Sequence, residues 1–337
     1  MAKRAKKWRI AALLLAACLL GGCAAKPSPQ GGEISSALPT VETAAAQVDV
    51  PSGMSGSRVE TREVALYFRA RGEDLLARET RKIYLSRDER LEKAIVRAII
   101  DGPSASLMDL SGTFNPSTQV LSVFETGSVL NVTLSRAFLS SPTDVPSDWY
   151  NYASWREEVL MRRMLSLAAV TLALTDASEY TAVQFLAQER ADDLTGKRIL
   201  RREIYFGETD DTAVLGPMTR DESLLLTQYN SAQVILECWR DKDFARLYRF
   251  TAQTDGERPT QEAFVQTVSD MPRALIDFSV QPGSVSEDGQ TAVMTAELTC
   301  LSQGDVLNIH AYPMHLLREN GLWKISYAAL TRMMEAN

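Results

Sequence analysis

The order of apolar and polar positions separates a leader, a structureless stretch and two folded regions. Ile10–Leu20 is an unbroken apolar run, whereas Ala24–Glu60 shows no apolar period. Order begins at Val64–Phe68, whose density of β-formers predicts a buried strand, with a second short strand at Ile83–Leu85. Ser86-Arg87-Asp88-Glu89 has the spacing of a capping box. Leu91, Ala94, Ile95, Ala98 and Ile99 then recur at helical spacing until Gly102-Pro103 ends the helix. Val120–Phe124 and Val129–Leu134 flank Glu125-Thr126-Gly127-Ser128 and predict a hairpin. Trp155–Leu174 predicts a long apolar helix, and Tyr180–Leu186 returns as a strand. This order predicts a small α+β sandwich with two helices packed on one sheet face.

A second region follows Gly216-Pro217-Met218. Thr219-Arg220-Asp221-Glu222 offers another capping box, and Leu225, Tyr229, Ala232, Leu236 and Trp239 mark one face of a helix. A short segment at Phe244–Phe250 and a helix at Gln261–Ser269 come next. After Pro272 the pattern predicts strands at Leu275–Val280, Thr291–Leu301, Val306–Tyr312, Met314–Glu319 and Leu322–Leu330. Glu287-Asp288-Gly289-Gln290 and Glu319-Asn320-Gly321 are hairpin turn signals. Helices first and a curved antiparallel sheet last is again an α+β plan.

The apolar run gains meaning from its flanks. Lys3, Arg4, Lys6, Lys7 and Arg9 precede it, and Leu20-Gly21-Gly22-Cys23 follows it. The run is too short for the roughly 20 residues of a membrane span and has the form of a secretory signal. Leu20, Gly21, Gly22 and Cys23 resemble the lipobox of bacterial lipoproteins. That resemblance implies cleavage before Cys23 and its modification by diacylglycerol and an acyl chain such as palmitate, placing the chain outside the cytoplasm, lipid-anchored to the cell membrane. Residues 1–22 are then the signal peptide. Residues 23–60, rich in Pro, Gly, Ser and Ala, form a disordered tether reaching roughly 35 Å. Loss of the five leader cations takes the net charge from −7 to −12. Such an acidic surface excludes nucleic acid as a partner and favours solubility beside a membrane.

Leu66-Tyr67-Phe68, the helix ending in Asp101-Gly102-Pro103, and Pro116–Val123 resemble the GerMN domain of sporulation and spore germination lipoproteins. Gly127, Asn131-Val132-Thr133-Leu134-Ser135 and Phe138 continue the likeness. It covers residues 61–207 in domain terms, and implies a ring-building-motif-like α/β sandwich with a scaffolding role and no catalytic residues. The chain departs from the family at Gln188-Glu189-Arg190, where a Val-Asp-Gly turn is usual. Arg202-Glu203-Ile204-Tyr205-Phe206 is similar to the first strand, but no second helix and hairpin follow it. Residues 218–337 resemble the cone-shaped nuclear transport factor 2 and ketosteroid isomerase superfamily. Trp239-Arg240-Asp241-Lys242-Asp243-Phe244 and Gly321-Leu322-Trp323-Lys324-Ile325 carry that likeness. It concerns fold and holds little functional information.

Candidate chemistry is sparse. His310 and His315, five residues apart and separated by Pro313, point to opposite faces of a strand, so no metal pair is expected. No HExxH, P-loop or GxSxG pattern occurs, and Asp277 lies at a strand start. No catalytic residue, metal or cofactor is expected, and the chain reads as a non-enzyme. Cys238 and Cys300 either pair in an oxidising compartment or remain buried small hydrophobes. Trp149, Tyr150, Tyr152 and Trp155 have two readings, an interaction patch for protein or cell-wall glycan, or a cluster packing the long helix onto the sheet. The expected function is a membrane-anchored scaffold or adaptor in sporulation, germination or envelope assembly. Its expected partners are the membrane through Cys23, envelope or sporulation-complex proteins, peptidoglycan and a second copy. The competing expectation is a lipoprotein holding a small apolar molecule or cell-wall fragment in the C-terminal cone.

Overall fold

Strand β1 (Glu60–Ala70) opens the ordered chain and pairs with β2 (Leu76–Leu85) antiparallel, from Glu60 opposite Leu85 to Arg69 opposite Leu76. The computed structural model describes residues 60–192, 195–253 and 258–335, which belong to a single compact unit. The expected leader and tether, with Leu20, Gly21, Gly22 and Cys23, lie outside the described residues. Val64–Phe68 are buried in succession, so both faces of β1 are covered, as an unbroken apolar run requires. Helix α1 (Leu91–Ile100) follows, then β3 (Leu110–Ser111), which completes a three-stranded sheet ordered β2-β1-β3.

The expected hairpin is β4 (Val120–Thr126) with β5 (Val129–Leu134). Helix α2 (Ala153–Ala177) then carries the chain to β6 (Ala182–Ala187), which lies parallel to β5. Short β7 (Lys197–Arg198) and β8 (Met218–Thr219) both pair with β6, giving a five-stranded sheet. The strands expected in one sheet therefore fall into two, and α2 packs against both β1 and β6. Ten consecutive residues, Leu165–Leu174, are buried in consequence. A helix enclosed all round needs no polar face, which is why its sequence shows no amphipathic stripe. Ser166 and Thr171 satisfy their hydroxyls on the carbonyls of Arg162 and Leu167, each at 2.8 Å.

The C-terminal half has helices first and sheet second, as expected: α3 (Gln228–Arg240), α4 (Phe244–Arg249) and α5 (Gln261–Ser269) precede the strands. Strands β9 (Arg273–Val285), β10 (Thr291–Ser302), β11 (Asp305–Glu319) and β12 (Leu322–Ile325) form an antiparallel meander, and α6 (Tyr327–Met334) ends the chain's described part. Three details differ from expectation. Val306–Tyr312 and Met314–Glu319 are one continuous strand, β11, running through Pro313 with a bulge near Ala311. Thr219–Glu222 starts no long helix: Asp221 caps a single turn, and Thr227 caps α3 through the Asn230 amide. Leu322–Leu330 splits at Ser326 into strand and helix. The Asn320-Gly321 turn is present, with positive φ at both residues, as a tight hairpin demands.

The two halves share one apolar core and are stitched by polar contacts. The Leu226 amide donates to the Leu76 carbonyl at 2.8 Å. Lys324, only 2% exposed, donates to Asp109 at 2.6 Å and Glu319 at 3.3 Å. Buried Glu73 receives Arg246 at 2.6 Å and Arg249 at 2.8 Å. A buried charge is tolerable only when so paired.

Candidate interaction surface

Trp149-Tyr150-Asn151 form one turn of tight helix, and Tyr152 in extended conformation starts α2. The Trp149 indole donates to Ser141 Oγ at 3.1 Å and meets Tyr150 edge-on, with ring centroids 6.4 Å apart. Arg163, nearly three turns into α2, places its guanidinium 5.8 Å from the Trp149 ring. That side chain is 8% exposed and makes no ion pair among the described residues. It donates to the carbonyls of Leu139 at 2.6 Å and Glu203 at 3.1 Å, leaving Nε without a partner. Burial holds its pKa below the usual guanidinium range.

The facing wall comes from residues 200–209, a segment that turns at Arg201–Glu203. Tyr205 lies under Arg201 at 5.2 Å, and Phe206, 49% exposed, lies under Arg156 at 5.7 Å. The walls enclose an open groove of about 430 Å³ lined by Trp149, Tyr150, Arg156, Tyr205 and Phe206. An aromatic floor edged by guanidinium groups suits contact with protein or ring-bearing ligands, because it combines desolvatable area with directional donors. Of the sequence-selected patch, the fold brings Trp149 and Tyr150 into the groove. Tyr152, 53% exposed, and half-buried Trp155 stand outside it. Sequence reasoning missed Arg156, Arg163, Tyr205 and Phe206. The similarity of residues 202–206 to a strand hid their role, since the segment forms a turn.

The remaining candidates are placed elsewhere. His310 Nδ1 lies 2.7 Å from Glu297 Oε2, and His315 is exposed further along β11. Glu297 accepts from the Ala311 amide at 3.0 Å, which, with His310, lowers its pKa. Among the described residues no group of His, Cys, Asp or Glu is arranged to hold a metal ion. Cys238 in α3 and Cys300 in β10 are separate buried thiols. Burial raises the Cys238 thiol to about 12, far from a reactive thiolate. No described helix is long and apolar enough to cross a membrane.

Residues 65–193 match the family model Germane, described as sporulation and spore germination. The tandem GerMN domains of the sporulation protein GerM from Bacillus subtilis align at 13% identity over 52% of this chain, with a TM-score of 0.31. This chain spans about half of that structure, 50% of its length. A protein from Clostridium perfringens described as a lipoprotein aligns at 13% identity over 50% of this chain and 95% of that one, with a TM-score of 0.24. No curated protein matches the sequence. The match spans β1 to β6 with Trp149 and Arg163 inside it and Tyr205 and Phe206 beyond it; over residues 65–193 this α+β chain is similar to the Germane, sporulation and spore germination, family.

Proposed function

We propose that the protein is a lipid-anchored, extracytoplasmic and non-enzymatic scaffold or adaptor in sporulation, germination or cell-envelope assembly. The observation that carries this reading is the aromatic and cationic groove on the flank of the Germane-like domain. Interfaces are enriched in Trp, Tyr and Arg of this kind. The β10–β11 hairpin tip offers a second contact surface, with Val306 63% exposed beside exposed Leu301 and Leu307. The lipobox-like Leu20-Gly21-Gly22-Cys23 supports attachment through lipid on Cys23. Partners are envelope or sporulation-complex proteins, peptidoglycan or another copy of the chain.

In-cell crosslinking of the tagged full-length protein, followed by mass spectrometry, tests the reading. A defined set of membrane or wall-assembly proteins is expected from the parent, with loss in Cys23→Ala and weakening in Phe206→Ala. Recovery of the chain alone with a small molecule would reject the adaptor and favour the second reading, a ligand-binding lipoprotein. A cavity of about 530 Å³ between α3, α5 and β9, walled by Trp239, Phe244, Val265, Val268 and Met271, supports that alternative. Buried Arg273 also lines it.

A further inference from the structure

The junction of the two halves contains a cleft of about 390 Å³ that neither half forms alone. Tyr67, Leu76 and Arg78 of β1 and β2 line one side. Gln228 of α3, Arg318 of β11 and Trp323 of β12 line the other. Charge around it is unbalanced. The two carboxylates that line it, Asp176 and Glu222, are both held by Arg220, and Asp176 also accepts from the Tyr67 hydroxyl. Arg78 and Arg318 have no carboxylate partner among the described residues.

Arg318 donates to the Arg78 carbonyl and lies 5.9 Å from the Trp323 ring centroid. Its guanidinium is half-buried, and burial together with the Arg78 charge lowers its pKa. The first residue of α3 also faces the cleft, adding the positive end of a thirteen-residue helix. Arg78, Arg318 and the first residue of α3 line this space together, and the carboxylates that share its wall, Asp176 and Glu222, are already engaged by Arg220. Guanidinium groups in such a setting bind planar or tetrahedral oxyanions through charge-assisted hydrogen bonds. Trp323 would cover an apolar remainder of the ligand.

We propose that this junction cleft binds a small organic oxyanion, a carboxylate or phosphate monoester, between Arg78 and Arg318. The site stands apart from the aromatic groove and does not depend on the adaptor reading. Calorimetric titration of the full chain in detergent micelles at low salt tests it, with N-acetyl-tri-alanine, N-acetyl-tri-alanine amide, glycerol 3-phosphate and glycerol as probes. Saturable binding of at least one anionic probe and neither neutral one is expected, and the preferred anion identifies the source. Arg318→Gln and Arg78→Gln are each expected to weaken binding at least tenfold, while Arg318→Lys retains part of it. Without ligand, Arg318→Gln keeps or raises the thermal midpoint, because it removes a half-buried cation that has no counter-charge. Should its midpoint fall, Arg78→Gln at an exposed position carries the test. No binding, equal binding of neutral probes, or binding unchanged in Arg78→Gln overturns the proposal.

Discussion

Glu79 illustrates how a single side chain couples this fold to pH. On β2 it is buried, and it receives Arg81 through two hydrogen bonds of 2.7 and 2.8 Å. Ser104 adds its amide at 3.1 Å and its hydroxyl at 2.5 Å. Burial alone would raise the pKa, but these donors outweigh it and hold the carboxyl below its ordinary value. A lowered folded pKa contributes stability above the unfolded value of about 4.3, and that contribution fades as pH falls through the folded value. Glu79→Gln is therefore expected to lower stability at pH 7 by about 1–3 kcal/mol, with the gap to the parent closing below about pH 4. Denaturant titrations of both proteins from pH 7 to pH 3 check this; a gap that stays constant with pH would assign the loss to packing. The sequence marks Glu79 as one carboxylate among many. Ser104, 25 residues away, becomes its partner only through the packing of β2 beside the end of α1.

At the scale of elements, the long strands β9 and β10 are held in register past a bulge. Ser284 pairs with Val293, but Gln281 pairs with Thr295, so the strand offset shifts between them. Gly283 sits in that shift, and a Cβ placed there would lie 1.7 Å from the Val293 carbonyl oxygen. Backbone, not a flexible side-chain tip, would have to move. Gly283→Ala is expected to cost at least about 2 kcal/mol, in the range of core overpacking. A lower denaturation midpoint with an unchanged m-value supports this account, and an unchanged midpoint refutes it. The strands were readable from alternation and turn signals, whereas the bulge was not, because it depends on how far two curved strands travel against each other. Helix starts show the same division. Ser86 and Glu89 have the capping-box spacing, yet α1 begins at Leu91 with Arg90 at its cap. The Ser86 amide meets Glu89 only at 3.5 Å.

For the whole molecule, the junction determines cooperativity. One core runs through both halves, and Glu73, Arg246, Lys324 and Asp109 pair across the boundary. Calorimetry of the full chain is expected to show a single unfolding transition for residues 60–335; two separated transitions would show that the halves fold independently. Glu73→Ala strips Arg246 and Arg249 of their shared buried counter-charge. Because both arginines keep partial access to water, the expected loss is about 2–3 kcal/mol, below that of a fully buried pair. The single transition should persist at a lower midpoint.

Local pattern alone determined much of this protein: the apolar runs of β1 and α2, the β4–β5 hairpin, the helices-then-sheet order of the C-terminal half, and the GerMN resemblance. These signals survive in sequence because they rest on residues a few positions apart, whose periodicity is set by strand and helix geometry. Tertiary structure decided that α2 lies between two sheets, that Trp149 shares a groove with Phe206 rather than with Trp155, and that Arg78 and Arg318 share a cleft. Those outcomes join residues tens to hundreds of positions apart. Such contacts depend on chain topology and on the burial of a common core, neither of which leaves a periodic trace along the chain.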